Sequence, residues 1–183
     1  NHHPGIDNSG PFLAMNPFSS RCCQHNHGFG WPYYAEHLVL ATPDNGLAAV
    51  MYSACKAKIK VGSKGTEVTL HEQTNYPFEE AVRFTLSTPS KVRFPMYLRI
   101  PSWCKNASVK INGKQEAVTL VEGEYARIER EWTNKDEVEL MIPMDLSMRQ
   151  WQANNNSVSV NWGPLTLSLK IAEEYKQMDS RAT

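Results

Sequence analysis

Apolar and polar residues alternate with a period of two from Leu47 to Ile171, and this pattern constrains the chain more than any other feature. Val68 and Leu70 alternate with Glu67, Thr69 and His71, and Val82, Phe84 and Leu86 with Arg83, Thr85 and Ser87. Phe94, Met96, Leu98 and Ile100, then Val138, Leu140 and Ile142, then Leu165, Leu167, Leu169 and Ile171 repeat the pattern. Successive side chains of a strand point to opposite faces, so each run is a half-buried strand. Asn112-Gly113 is a strong two-residue hairpin signal, with Glu122-Gly123-Glu124 and Asn134-Lys135-Asp136 as weaker turns. Many short strands without intervening helices predict two packed antiparallel sheets, a mainly β fold of the β-sandwich type. Val82, Phe84, Leu86, Leu98, Ile100, Val138, Leu140, Leu167 and Leu169 are the expected shared core. Trp103, Trp132, Trp151 and Trp162 are expected in that core or against a neighbouring helix.

The first forty-odd residues are different. Residues 1–30 are rich in Pro, Gly, Asn, Ser and His, a composition suited to an irregular loop. A loop of that length is uncommon in a compact domain unless it is functional or packs on something else. From Trp31 to Ala41, Pro32 suits a first helical turn, and Tyr34, His37, Leu38 and Ala41 recur at helical spacing, which predicts a short helix. Thr42-Pro43-Asp44-Asn45-Gly46 stops it. The helix has no helical partner elsewhere in the sequence, so a partner region outside the chain is expected. The expected organisation is therefore residues 1–46 as the end of a helical domain, 47–175 as the sandwich and 176–183 as a tail.

Lys plus Arg and Asp plus Glu number 19 each, giving zero net charge with no basic block. That removes the electrostatic footprint of a nucleic-acid binder. Apolar runs fall well short of the ~20 residues that cross a bilayer. Of the four cysteines, Cys55 and Cys104 lie in strand-like sequence and read as buried free thiols. The cellular compartment stays open.

The densest chemical cluster is Arg21-Cys22-Cys23-Gln24-His25-Asn26-His27-Gly28. Two thiols and two imidazoles are soft ligands suited to zinc, and Arg21 could lower a cysteine pKa as a nucleophile requires. Against that stands a plain loop with packed cysteines and solvated histidines. The spacing matches no self-contained zinc finger, so further ligands would come from elsewhere. Gln73 to Phe78 sets aromatics beside amides, as sugar sites do, but reads first as a turn between strands. Glu79-Glu80 and Glu129-Arg130-Glu131 could supply the paired carboxylates of a glycosidase, although carboxylates in polar hairpins are usually solvated. His71 lies on the polar side of its strand and is expected to be exposed.

Tyr97-Leu98-Arg99-Ile100-Pro101-Ser102-Trp103 is followed by Val109-Lys110-Ile111-Asn112-Gly113, by Tyr125 to Trp132, by Asp136 to Leu140 and by Asn161-Trp162-Gly163-Pro164-Leu165. This order, together with Cys22-Cys23 and Asn26, resembles glycoside hydrolase family 127, the β-L-arabinofuranosidase-like family, from about Asn16 onward. The resemblance implies that the cysteine pair lies at the end of an (α/α)6 barrel and that the chain is the C-terminal portion of a longer parent. It implies zinc held by Cys22 and Cys23 with a glutamate and a cysteine from earlier in the parent. It further implies Cys22 as the nucleophile of a retaining mechanism, with a separate glutamate as acid/base. The implied partners are the remainder of the parent chain and a carbohydrate substrate, with no nucleic acid and no membrane. Gln24-His25 stand where the family usually has prolines, and the helix after the pair lacks the family's usual arginine. The competing reading is a non-catalytic sandwich that binds carbohydrate or braces a neighbouring domain, which would have no need of Cys22-Cys23.

Overall fold

The structure, a computed structural model, describes residues 22–172, with side chains from residue 28 onward. Helix α1 (Cys22–Glu36) leads into strands β1 (Val39–Ala41), β2 (Leu47–Ala49), β3 (Cys55–Val61), β4 (Thr66–Thr74), β5 (Ala81–Ser87) and β6 (Val92–Arg99). Then follow β7 (Ser108–Ile111), β8 (Lys114–Gln115), β9 (Tyr125–Trp132), β10 (Glu137–Met141), β11 (Leu146–Trp151), β12 (Ser157–Trp162) and β13 (Leu165–Leu167). They form a four-stranded sheet ordered β1-β2-β6-β9, a six-stranded sheet ordered β3-β4-β5-β10-β7-β8 and a three-stranded sheet β11-β12-β13. Among the described residues the pairings are antiparallel except β2 with β6, where Ala48 sits opposite Tyr97 in parallel.

The first two sheets share one core. From the six-stranded sheet come Leu70 opposite Leu86, Phe84 opposite Val138, and Leu140 between Val82 and Val109. The four-stranded sheet contributes Phe94, Met96, Leu98, Ala126, Ile128 and Trp132, and both sets are buried. Trp132 is the largest of these, and its indole N–H donates to the Phe94 carbonyl at 3.0 Å. That bond satisfies the one polar group the ring would otherwise strand in the core.

Turn chemistry sets the register. Asn112 and Gly113 take φ of 51° and 77°, the left-handed pair that a two-residue hairpin needs between β7 and β8. The Asn112 side chain then ties this hairpin to the turn before β10. Its amide donates to Asp136 Oδ1 at 2.9 Å, and its carbonyl accepts from the Glu137 N–H at 2.8 Å. At Gly46 the constraint is space, because a Cβ there would stand 2.2 Å from the Pro95 carbonyl oxygen. That close approach lets the turn from Thr42 to Gly46 lie against β6.

The structure departs from the sequence expectations in several places. The expected helix over Trp31–Ala41 is instead Cys22–Glu36, with Pro32 inside it, so residues 22–30 are not loop. Leu38 and Ala41, which carry the expected helical spacing, are drawn into the sheet: Val39 to Ala41 pair with Leu47 to Ala49, and the Leu38 carbonyl accepts the Val50 N–H. Tertiary pairing here overrides a helical pattern only one turn long. The β region is three sheets rather than two, with one parallel pairing. Leu167 and Leu169, expected in the core, are 49% and 87% exposed, because β13 joins the third sheet and ends at Leu167, before Leu169. Trp151 and Trp162 go the same way, and His71 is half-buried rather than exposed.

Tyr52 fastens the loop after β2 to the end of β6. It is fully buried, its hydroxyl donates to the Arg99 carbonyl, and its ring meets Tyr76 and Phe84 edge-on at 5.9 and 6.3 Å. Tyr52→Phe keeps the ring but strands that carbonyl, so a loss of about 1–2 kcal/mol is expected in urea unfolding with an unchanged m-value.

Candidate functional site

Cys22 and Cys23 lie in α1, followed by His25 and His27. The side chains of 22–27 lie outside the described residues, as do Arg21, His2 and His3, so the thiols are placed only by their backbone. From Gly28 to His37 the chain is exposed, with Phe29, Trp31 and Tyr33 each more than half accessible. Among the described residues, no group of three or more His, Cys, Asp or Glu could hold a metal ion.

The other candidate carboxylates are tied down by structural bonds. Glu79 accepts from the Asn75 amide at 2.9 Å, and Glu80 accepts the Met144 N–H at 2.8 Å. Glu129 pairs with Arg93 and Arg127, and Glu131 with Lys91. None of these is arranged as an acid facing a nucleophile across a cleft. Gln73 to Phe78 forms the turn after β4, closed by the Phe78 N–H to the Asn75 carbonyl.

One group escapes sequence reasoning altogether. Glu72 continues the inward face of Val68 and Leu70 and is fully buried. Its Oε1 accepts the Ser53 N–H at 2.9 Å, and Oε2 lies 3.8 Å from the Cys55 thiol. Burial pushes its carboxyl up to about 8, against the opposing pull of the Ser53 N–H and the Cys55 thiol. Burial, and then the Glu72 charge, likewise push Cys55 up to about 11. A carboxyl still protonated near neutral pH is what a general acid requires. A carboxyl with no accessible surface, however, cannot reach a glycosidic oxygen. Glu72 therefore holds the Ser53–Cys55 segment onto the end of the sheet. A weak sequence signal existed in a glutamate at the inward phase of an alternating strand.

Above Glu72, a cleft of about 710 Å3 opens between the β3 start, the β4 end and the Asn75–Glu79 turn. It is lined by Lys56, His71, Gln73 and Arg83 among others, a polar surface without a Phe, Tyr or Trp ring.

Residues 46–144 match the family model described as the beta-L-arabinofuranosidase GH127 middle domain. The chain is similar to a solved GH127 beta-L-arabinofuranosidase from Geobacillus stearothermophilus T6, at 31% identity and a TM-score of 0.72, over 81% of this chain and 24% of that one. A structure described as a glycoside hydrolase is similar at 30% identity and a TM-score of 0.60, over 67% of this chain and 21% of that one. A GH127 beta-arabinofuranosidase at 23% identity and a TM-score of 0.60 shares the fold over 68% of this chain and 22% of its own. No curated protein matches. The chain thus spans about a quarter or less of the length of each of these structures. Among the described residues, no helix is long and apolar enough to cross a membrane.

Proposed function

The chain belongs to glycoside hydrolase family 127, and from that premise we propose that it is the double-cysteine segment and middle domain of a longer enzyme that cleaves arabinofuranosides or related plant-type glycans. The observation that carries this reading is the order of parts: Cys22-Cys23 at the start of α1, then the middle-domain match over residues 46–144. In this reading residues 1–46 close a helical catalytic domain, and the sandwich braces it.

Two adjacent thiolates are a donor set suited to zinc, and Cys22 and Cys23 are the residues that would hold it. Bound zinc would keep a thiol ionised at neutral pH. Zinc sites normally take at least three protein ligands, so the others come from elsewhere in the parent. The Cys22 Sγ attacks the anomeric carbon as the glycosidic C–O bond breaks, and a carboxylic acid from the parent protonates the leaving oxygen. Water, deprotonated by the same carboxylate, then displaces the sulfur and releases the sugar with retained configuration. Of the described carboxylates considered for the acid, Glu72 is sealed and Glu79, Glu80, Glu129 and Glu131 are held by other groups.

The test compares the full-length parent with the 183-residue chain on a panel of aryl arabinofuranosides, with zinc present. Turnover by the parent and none by the chain is expected. A zinc-loaded parent inert on the whole panel, or robust hydrolysis by the chain alone, would sink the assignment.

A further inference from the structure

The outward face of the four-stranded sheet carries chemistry that neither the core nor the cysteine pair uses. Tyr97 of β6 lies opposite Arg127 of β9, and Arg99 opposite Tyr125, so the two tyrosines stand diagonally on one face. Together with Pro43, Asp44 and Ala48 they line a cavity of about 400 Å3, within the size range of small-molecule sites. Tyr125 also lines a second cavity of about 230 Å3, shared with Val121 and Arg127. Tyr125, 43% exposed, thus lines both depressions.

The polar groups at the rim are already held in place. The Tyr97 hydroxyl donates to Asp44 Oδ2 at 2.7 Å and accepts from Arg127 Nε at 2.9 Å. Arg127 also pairs with Glu129 at 2.7 Å and with Asp44 at 3.6 Å, and its guanidinium lies 5.8 Å from the Tyr97 ring centre. The Thr42 hydroxyl, with that of Tyr97, holds the Asp44 carboxyl below the usual carboxylate range. Fixing these side chains in advance removes part of the ordering cost of binding.

The character of the ligand follows from this pairing. Asp44, Arg127 and Glu129 pair with one another, and Glu124 beside the second depression adds a negative charge, so the site offers no free cation with which to select an anion. It offers aromatic faces, which suit the C–H faces of a sugar ring, ringed by groups that exchange hydrogen bonds with hydroxyls. Two depressions that share one tyrosine suit successive residues of a chain rather than a single sugar. We propose that this face is a second saccharide-binding surface, remote in sequence from Cys22, which holds a neutral glycan chain across Tyr125 with Tyr97 as its second platform. The choice of a glycan rests on the proposed glycosidase reading; the geometry does not.

Affinity electrophoresis of the 183-residue chain in gels containing linear arabinan, arabinogalactan or xylan tests the inference. At least one glycan should retard the chain. Tyr125→Ala should weaken that retardation about tenfold or more, whereas Tyr125→Phe, which keeps the ring, should retain it. Tyr125 is partly exposed, so the alanine variant should keep the wild-type circular dichroism spectrum. The Cys22→Ser parent should bind the same glycan as the wild-type parent, which keeps a failure of the catalytic reading separate from a failure of this one. Three results would overturn the inference: no glycan retards the chain, folded Tyr125→Ala binds as well as wild type, or the parent fails to bind because other protein covers the face.

Discussion

Cys22→Ser in the full-length parent should lower kcat on aryl arabinofuranosides by at least about 10^3-fold while leaving the thermal unfolding midpoint close to wild type. The size of the effect follows from the attacking atom. A thiol is partly ionised near neutral pH and intrinsically nucleophilic, whereas a serine hydroxyl needs an adjacent base to be activated. Cys23→Ser should behave differently, because the nucleophile remains and a ligand goes. Its first effect should be a fall in bound zinc, measured by elemental analysis after dialysis, with activity partly restored by excess metal. Equal metal loss and equal activity loss in the two variants would mean that both cysteines are ligands only. Undiminished turnover by Cys22→Ser would remove the thiol from the reaction.

The fold was legible where the information is local. Val82 and Phe84 opposite Leu140 and Val138, with Leu86 opposite Leu70, are a core that alternation alone predicts, and Asn112-Gly113 predicts its own hairpin. Alternation also found the strand at Leu165, but a period of two says that one face is apolar without saying what covers it. Leu146, Met148, Val160, Trp162 and Leu167 share a face of the third sheet and remain accessible, whereas the first two sheets cover each other. The parallel pairing of β2 with β6 joins segments more than forty residues apart and leaves no periodic trace. Leu38 and Ala41 follow the sheet and not the expected helix because one turn of helical spacing is weak beside a strand partner a few residues on.

The sites divide in the same way. Cys22-Cys23 is visible because its chemistry is contiguous. Asp44, Tyr97, Arg127 and Glu129 come from a turn and two strands, and only the register of β6 against β9 brings them together. Glu72 was hidden for a further reason. At the sequence level a glutamate reads as the end of an apolar face, and its burial depends on Ser53 and Cys55, which reach it from across the sheet end.

That burial gives the chain a pH-dependent stability on the order of 3–5 kcal/mol, the largest effect expected from a single side chain of the sandwich. An unfolded glutamate titrates near 4.5, whereas the folded Glu72 carboxyl is pushed up to about 8. Below the lower value both states hold the proton, and the fold bears no penalty. Between the two values the folded state keeps a proton that the unfolded state has released, so stability falls as pH rises, then levels off above about 8. The Cys55 thiol titrates higher still and leaves this window alone. The wild-type curve sums every titrating group, so by itself it does not isolate Glu72. Glu72→Gln does, because the amide carbonyl can still accept the Ser53 N–H while the ionisation is gone. Urea unfolding of both proteins from pH 5 to 9 should give curves that nearly meet at pH 5 and diverge with rising pH, the glutamine variant being the more stable at pH 8. Parallel curves across that range would mean that Glu72 is already ionised in the fold, with its charge accommodated by Ser53 and Cys55.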